Sequence, residues 1–143
     1  MLTEEIADPD AITPADLRAE YERRLAAVVE TVGVDEVGDG TGIDRARLDA
    51  LVAGESPPIT VEEAAAVLSL SDAYPDAERI LLELRDHVML QMSSAVLDVD
   101  AVESGIDADL DARDVQQKIE GRQPMTLAEY AEIHRFIAAE NPF

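Results

Sequence analysis

A chain of 143 residues can bury a substantial core, and 47% of it is hydrophobic but only 3% aromatic, so Ala, Val, Leu and Ile must fill the interior. No cysteine is present, which excludes disulfides, thiolate metal sites and Cys nucleophiles. The net charge is −21, from 32 Asp and Glu against 11 Lys and Arg, with Lys118 the one lysine. At 1 M salt the Debye length falls to about 3 Å and such self-repulsion is screened, so the composition suits a high-salt cytosol.

Residues 1–12 form an acidic lead-in with no apolar signal segment, and no stretch approaches the ~20 apolar residues of a membrane span, so a cytoplasmic location is expected. Thr13, Pro14 and Asp16 then mark a helix start. That helix runs to about residue 33 with Leu17, Tyr21, Leu25, Val28 and Val32 on one stripe. Residues 33–42 are expected to be only weakly helical, because Gly38 and Gly40 each cost about 1 kcal/mol relative to Ala. Asp44 caps a helix carrying Leu48, Leu51 and Val52, which Gly54 and the Pro57-Pro58 pair stop.

A capping box, Thr60 to Glu63, opens the next helix through Ala64, Val67 and Leu68. After a linker, residues 76–96 read as a long central helix with Ile80, Leu81, Leu84, Val88, Gln91 or Met92, and Ala95 on its apolar side, and Met89 and Met92 as core filler. A short segment follows at 99–105, then a helix over 111–120 stopped by Gly121. Pro124 and the capping box Thr126 to Glu129 start the last helix, with Leu127, Tyr130, Ile133, and Phe136 or Ile137 turned inward.

The second half repeats the first. At a spacing of 67 residues, Ile43 and Asp44 fall on Leu110 and Asp111, Leu48 on Val115, Val52 on Ile119, Gly54 on Gly121 and Pro57 on Pro124. One deletion then superposes the capping boxes at Thr60 and Thr126. Helix punctuation matches as well as periodicity, which points to duplication of one helical unit.

Gly42-Ile43-Asp44, Leu48, Val52, Gly54, Pro57, Thr60, Ala64 and Leu68, with Val37-Gly38 as the small pair that lets two helices approach, resemble the helix-turn-helix of Cro and phage repressors. The second copy departs at Ser104-Gly105-Ile106, where the pair and the turn require inserted residues. The whole chain, with its ending Ile119-Glu120-Gly121-Arg122-Gln123-Pro124-Met125-Thr126, is also similar to an uncharacterised haloarchaeal family of small acidic proteins. The expected fold is therefore all-α: tandem helix-turn-helix-like units at 13–72 and 76–143, packed around the long helix.

In Cro-like proteins the third helix meets base edges in the major groove. By that resemblance the candidate DNA contacts are Arg45 and Arg47 in the first copy, and Arg113, Gln116, Gln117, Lys118 and Arg122 in the second. Arg suits guanine and Gln suits adenine. Phosphate neutralisation needs cations, however, and Asp44, Asp49, Asp111 and Asp114 border the same surfaces.

Other motifs carry less. The run 38–42 has the glycines of a phosphate loop at the wrong spacing, with no preceding strand. Asp107, Asp109 and Asp111 start a calcium-loop pattern that Ala112 and Lys118 break. His87 and His134 lie in different helices without metal-ligand spacing, and read as packing or surface residues. The sequence thus points to a non-enzymatic protein with no cofactor or metal. The leading reading is a helix-turn-helix transcriptional regulator adapted to high salt that binds double-stranded DNA, with the helix over 111–120 as its reader. The alternative is a helical scaffold that binds a protein partner or a second copy of itself, away from any membrane.

Overall fold

The computed structural model describes residues 2, 3, 6 and 8–141, so part of the acidic lead-in lies outside the described residues. Among the described residues the chain is all-helical, with a short 3-10 turn at Pro9–Ala11 followed by α1 (Pro14–Val32), α2 (Val34–Thr41), α3 (Arg45–Val52), α4 (Val61–Leu68), α5 (Ala77–Ala95), α6 (Val99–Gly105), α7 (Ala112–Glu120) and α8 (Leu127–Glu140). The expected caps are present: Thr13, Thr60 and Thr126 each close a capping box, and Asp44 accepts a bond from the Arg47 amide. Asp111 and Asp114 close a further box at the start of α7. None of these helices is long and apolar enough to cross a membrane.

A long helix followed by three shorter ones occurs twice. The buried stripe of α1, Leu17, Tyr21 and Leu25, recurs 63 residues later in α5 as Ile80, Leu84 and Val88. Packing follows the same exchange: α1 lies on α8 as α5 lies on α4, and α1 on α4 as α5 on α8. At the centre, the Val61 amide donates to the Met125 carbonyl at 2.7 Å and the Leu127 amide donates to the Ile59 carbonyl at 2.8 Å. These two bonds form a small antiparallel bridge between Thr60 and Thr126, the aligned caps. They interchange when the halves are swapped, so the two units meet about a local pseudo-two-fold axis. Leu48, Leu51, Ile59, Leu68, Leu84, Met125, Leu127 and Ile133 fill the shared core.

Several expectations are corrected. Residues 34–41 form a regular helix despite Gly38 and Gly40. Tertiary packing outweighs their low propensity: Val37 is fully buried, and a Cβ on Gly38 would stand 3.6 Å from the Ile43 carbonyl and 3.7 Å from Leu48. Val52 ends α3 facing solvent, although its counterpart Ile119 is buried. Met89 is not core filler, since it sits on the face of α5 opposite Ile80, Leu84 and Val88, whereas Met92 packs against the core. The departure of the second copy is visible in the connections: three residues, 42–44, join α2 to α3, and six, 106–111, join α6 to α7.

Candidate interaction surfaces

The seven residues singled out as DNA contacts do not form one basic face. Arg47 turns back along α3, where its Nη1 donates to the Pro58 carbonyl at 3.1 Å and to Glu63 Oε1 at 2.9 Å, and its Nε pairs with Asp44. Lys118 does the same on α7, donating through Nζ to the Pro124 carbonyl at 2.8 Å and to Glu129 Oε1 at 3.1 Å. Both cations thus bind the turn before a capping box and the carboxylate that closes it. Hydrogen bonds to Glu63 and Asp44 hold the Arg47 guanidinium above its ordinary pKa. The bond from Arg47 lowers Asp44; at Glu63, burial raises the pKa, but the bonds from Arg47 and Thr60 outweigh it and the net direction is down.

The remaining candidates are more exposed. Arg45 lies between Asp35 at 2.6 Å and Asp49 at 3.6 Å, and Arg122 pairs with Glu120 at 3.2 Å. Gln116 donates to Glu120 at 3.0 Å, while Gln117 accepts from Gln123, whose amide also reaches Asp114 and lowers its pKa. Arg113 alone of the seven makes no hydrogen bond or ion pair with a described residue. On the exposed surface of α7 the free cationic charge is therefore Arg113, beside Asp111, Asp114 and Glu120.

A second feature had no signal in sequence spacing. His87 of α5 and His134 of α8 meet edge to face with ring centroids 5.3 Å apart, and Tyr130 lies 5.3 Å from His134. The Tyr21 hydroxyl is 2.6 Å from His134 Nδ1, and the Tyr130 hydroxyl donates to the Leu2 carbonyl at 2.8 Å. Burial raises both tyrosine pKa values. Burial, with His87 nearby, depresses that of His134 to about 4. His87 Nε2 is buried without a partner among the described residues, and burial lowers its pKa. A cleft of about 430 Å³ opens beside this cluster, lined by Gln91, Ser94 and Asn141 and by Thr3, Ile6 and Pro9 of the N-terminal segment. Among the described residues no group of three His, Cys, Asp or Glu is placed to hold a metal ion.

The third surface is apolar. Leu82, Met89, Leu90 and Val96 are 58%, 48%, 65% and 89% exposed, all on α5 or at its end, whereas the other large exposed hydrophobics, Val52 and Leu70, stand apart at 36%. Leu82, Met89 and Val96 recur every seven residues, which keeps them in one row along the helix. Val96 is also the one non-glycine described residue with positive φ, at 56°. Its counterpart 63 residues earlier is Gly33.

Neither a curated protein nor a solved structure matches the chain. Its sequence from residue 17 to residue 140 does match a family model, so the chain belongs to DUF5791, a family of unknown function.

Proposed function

We propose that the chain is a non-enzymatic protein-interaction module, in which two Cro-like helix-turn-helix units serve as a packing scaffold and the solvent face of α5 is the docking surface. The acidic composition adapts it to a high-salt cytoplasm such as that of a haloarchaeon. The observation that carries this reading is the row of large apolar side chains on α5, interrupted by exposed Asp86 and Ser93, since apolar exposure grouped on one face marks interaction sites more often than scattered residues do. In support, Arg47 and Lys118 are engaged within their own units and the exposed ends of α3 and α7 are rich in carboxylates. A double substitution, Leu82→Ser with Met89→Ser, should leave helicity intact and abolish association at molar salt. An unchanged set of bound partners would sink the proposal.

Duplex DNA is the second reading, favoured by Arg113 and Gln116, which are exposed on α7 where a recognition helix would present base-reading side chains. It requires an affinity that weakens as salt rises and disappears with Arg113→Ala. Absence of any duplex binding from dilute to molar salt would remove it.

A further inference from the structure

We infer that the groove between α1 and α3 receives an arginine side chain from a segment of another protein; this surface is separate from the α5 face, and the inference goes beyond that reading. The groove encloses about 480 Å³, within the ~300–1,000 Å³ typical of ligand sites. Ala19, Ala26 and Ala27 of α1 line one side, and Leu51, Val52 and Gly54 at the end of α3 line the other.

The second unit has the same place filled. Gly54 and Gly121 each follow the third helix of their unit, with φ of 84° and 80°. A Cβ on Gly121 would overlap the guanidinium of Arg85, which lies against that glycine from α5. A Cβ on Gly54 would meet nothing within 4 Å. The position of Arg85 is held in α1 by Glu22, 63 residues earlier, and the three alanines stand where α5 carries Leu82, Met89 and Leu90. The first unit thus keeps the glycine and lacks the guanidinium that covers it in the second.

Charge selects the same occupant. At three groove positions the first unit has Glu22, Glu30 and Glu55 where the second has Arg85, Ser93 and Arg122. Glu22 is buried and already satisfied, accepting from Arg18 Nε at 3.2 Å and from Ser56 Oγ at 2.7 Å. Arg23, the one cation among the described lining residues, reaches towards Glu20 at 3.9 Å. Glu30 and Glu55 are exposed and make no hydrogen bond or ion pair with a described residue. An incoming cation therefore meets two unpaired carboxylates beside the negative end of the α3 dipole. A planar guanidinium can lie along the glycine, as that of Arg85 does, while its fork reaches a carboxylate; a lysine ammonium has no such flat face.

Isothermal titration of the full chain with hexa-arginine, at the lowest salt that keeps the native helical signal, should show binding at least tenfold tighter than that of hexa-lysine, a peptide of equal charge. Two variants fill the groove and leave the net charge of −21 unchanged: Gly54→Asn, since asparagine tolerates the left-handed conformation, and Ala27→Leu, since the second unit carries leucine at that position. Each should weaken hexa-arginine at least tenfold with an unchanged helical spectrum. Glu30→Gln with Glu55→Gln should weaken it as well, whereas Leu82→Ser with Met89→Ser should leave it unaltered. Equal affinity for the two peptides, or full binding by both groove-filling variants, would reduce the attraction to net charge and overturn the inference. Arginine amide binding as tightly as hexa-arginine would also overturn it, because the groove would then be a small-molecule site. So would self-association of the chain that Gly54→Asn abolishes, because the occupant would then be a second copy. None of these outcomes touches the α5 reading, which stands or falls with Leu82→Ser and Met89→Ser alone.

Discussion

Lys118 and Arg113 lie five residues apart on one short helix and have opposite surroundings. Lys118 is largely enclosed, with the Pro124 carbonyl and the Glu129 carboxylate as its partners, so Lys118→Met leaves both acceptors without their donor and should cost about 2 kcal/mol. Arg113 faces solvent, and Arg113→Ala should stay within about 0.5 kcal/mol. Urea titration of both variants checks the contrast; equal costs would mean that the inward course of Lys118 is wrong. The sequence placed both residues on the same helix but could not tell them apart. What separates them is the return of the chain through Pro124, which brings a carbonyl and a carboxylate to one side of α7 only.

His134 gives a pH dependence with a definite sign. Its folded-state pKa of about 4 lies below the ordinary 6.5, so between these values the unfolded chain takes up a proton that the native ring refuses. Its stabilising contribution is complete above about pH 6.5 and is lost progressively as the pH falls towards 4, up to roughly 3 kcal/mol. Asp44, Glu63 and Asp114, whose pKa values are lowered, add a further loss at lower pH as they are protonated. Denaturation measured at molar salt, where net charge is screened, should show the midpoint falling between pH 6.5 and 4. A flat profile would contradict the burial of His134 against Tyr21.

At the scale of elements, the two copies pack the second helix of each unit against the fourth through a glycine. A Cβ on Gly40 would touch Leu70 at 3.4 Å, an ordinary contact, whereas one on Gly105 would overlap the Phe136 ring. Gly105→Ala must displace Phe136 and should destabilise by about 1–3 kcal/mol. Gly40→Ala should be neutral or stabilising by up to about 1 kcal/mol through helix propensity. Thermal unfolding of the pair tests whether α6 really closes on α8. The expectation of a weakly helical 34–41 failed at this scale, because propensity is local and the burial of Val37 is not.

For the whole molecule, the pseudo-two-fold axis joins two units that each leave part of an apolar face uncovered until the other is present. Residues 59–61 and 125–127 carry the join, and the core runs through it without a break. Cooperative unfolding in one transition follows. The charge of −21 acts on the same scale: dialysis into dilute buffer restores self-repulsion and should lower both the unfolding midpoint and the helical circular dichroism signal. An unchanged spectrum and midpoint would show that acidity is not a constraint on this fold.

The capped helices α1, α3, α4, α5, α7 and α8 were legible in the sequence alone, because capping boxes, proline stops and apolar periodicity act over a few residues and need no partner to be read, whereas α2 was not. Which side chains are free to bind was decided only by tertiary structure. Arg47 and Lys118 turn inward because the chain after each third helix returns to offer them a carbonyl and a carboxylate. His87 and His134 meet, and Met89 faces solvent, because α4, α7 and α8 cover one side of α5 and leave the other bare. Burial depends on what arrives from distant parts of the chain, and that distinguishes an amphipathic helix from a helix with a second apolar face.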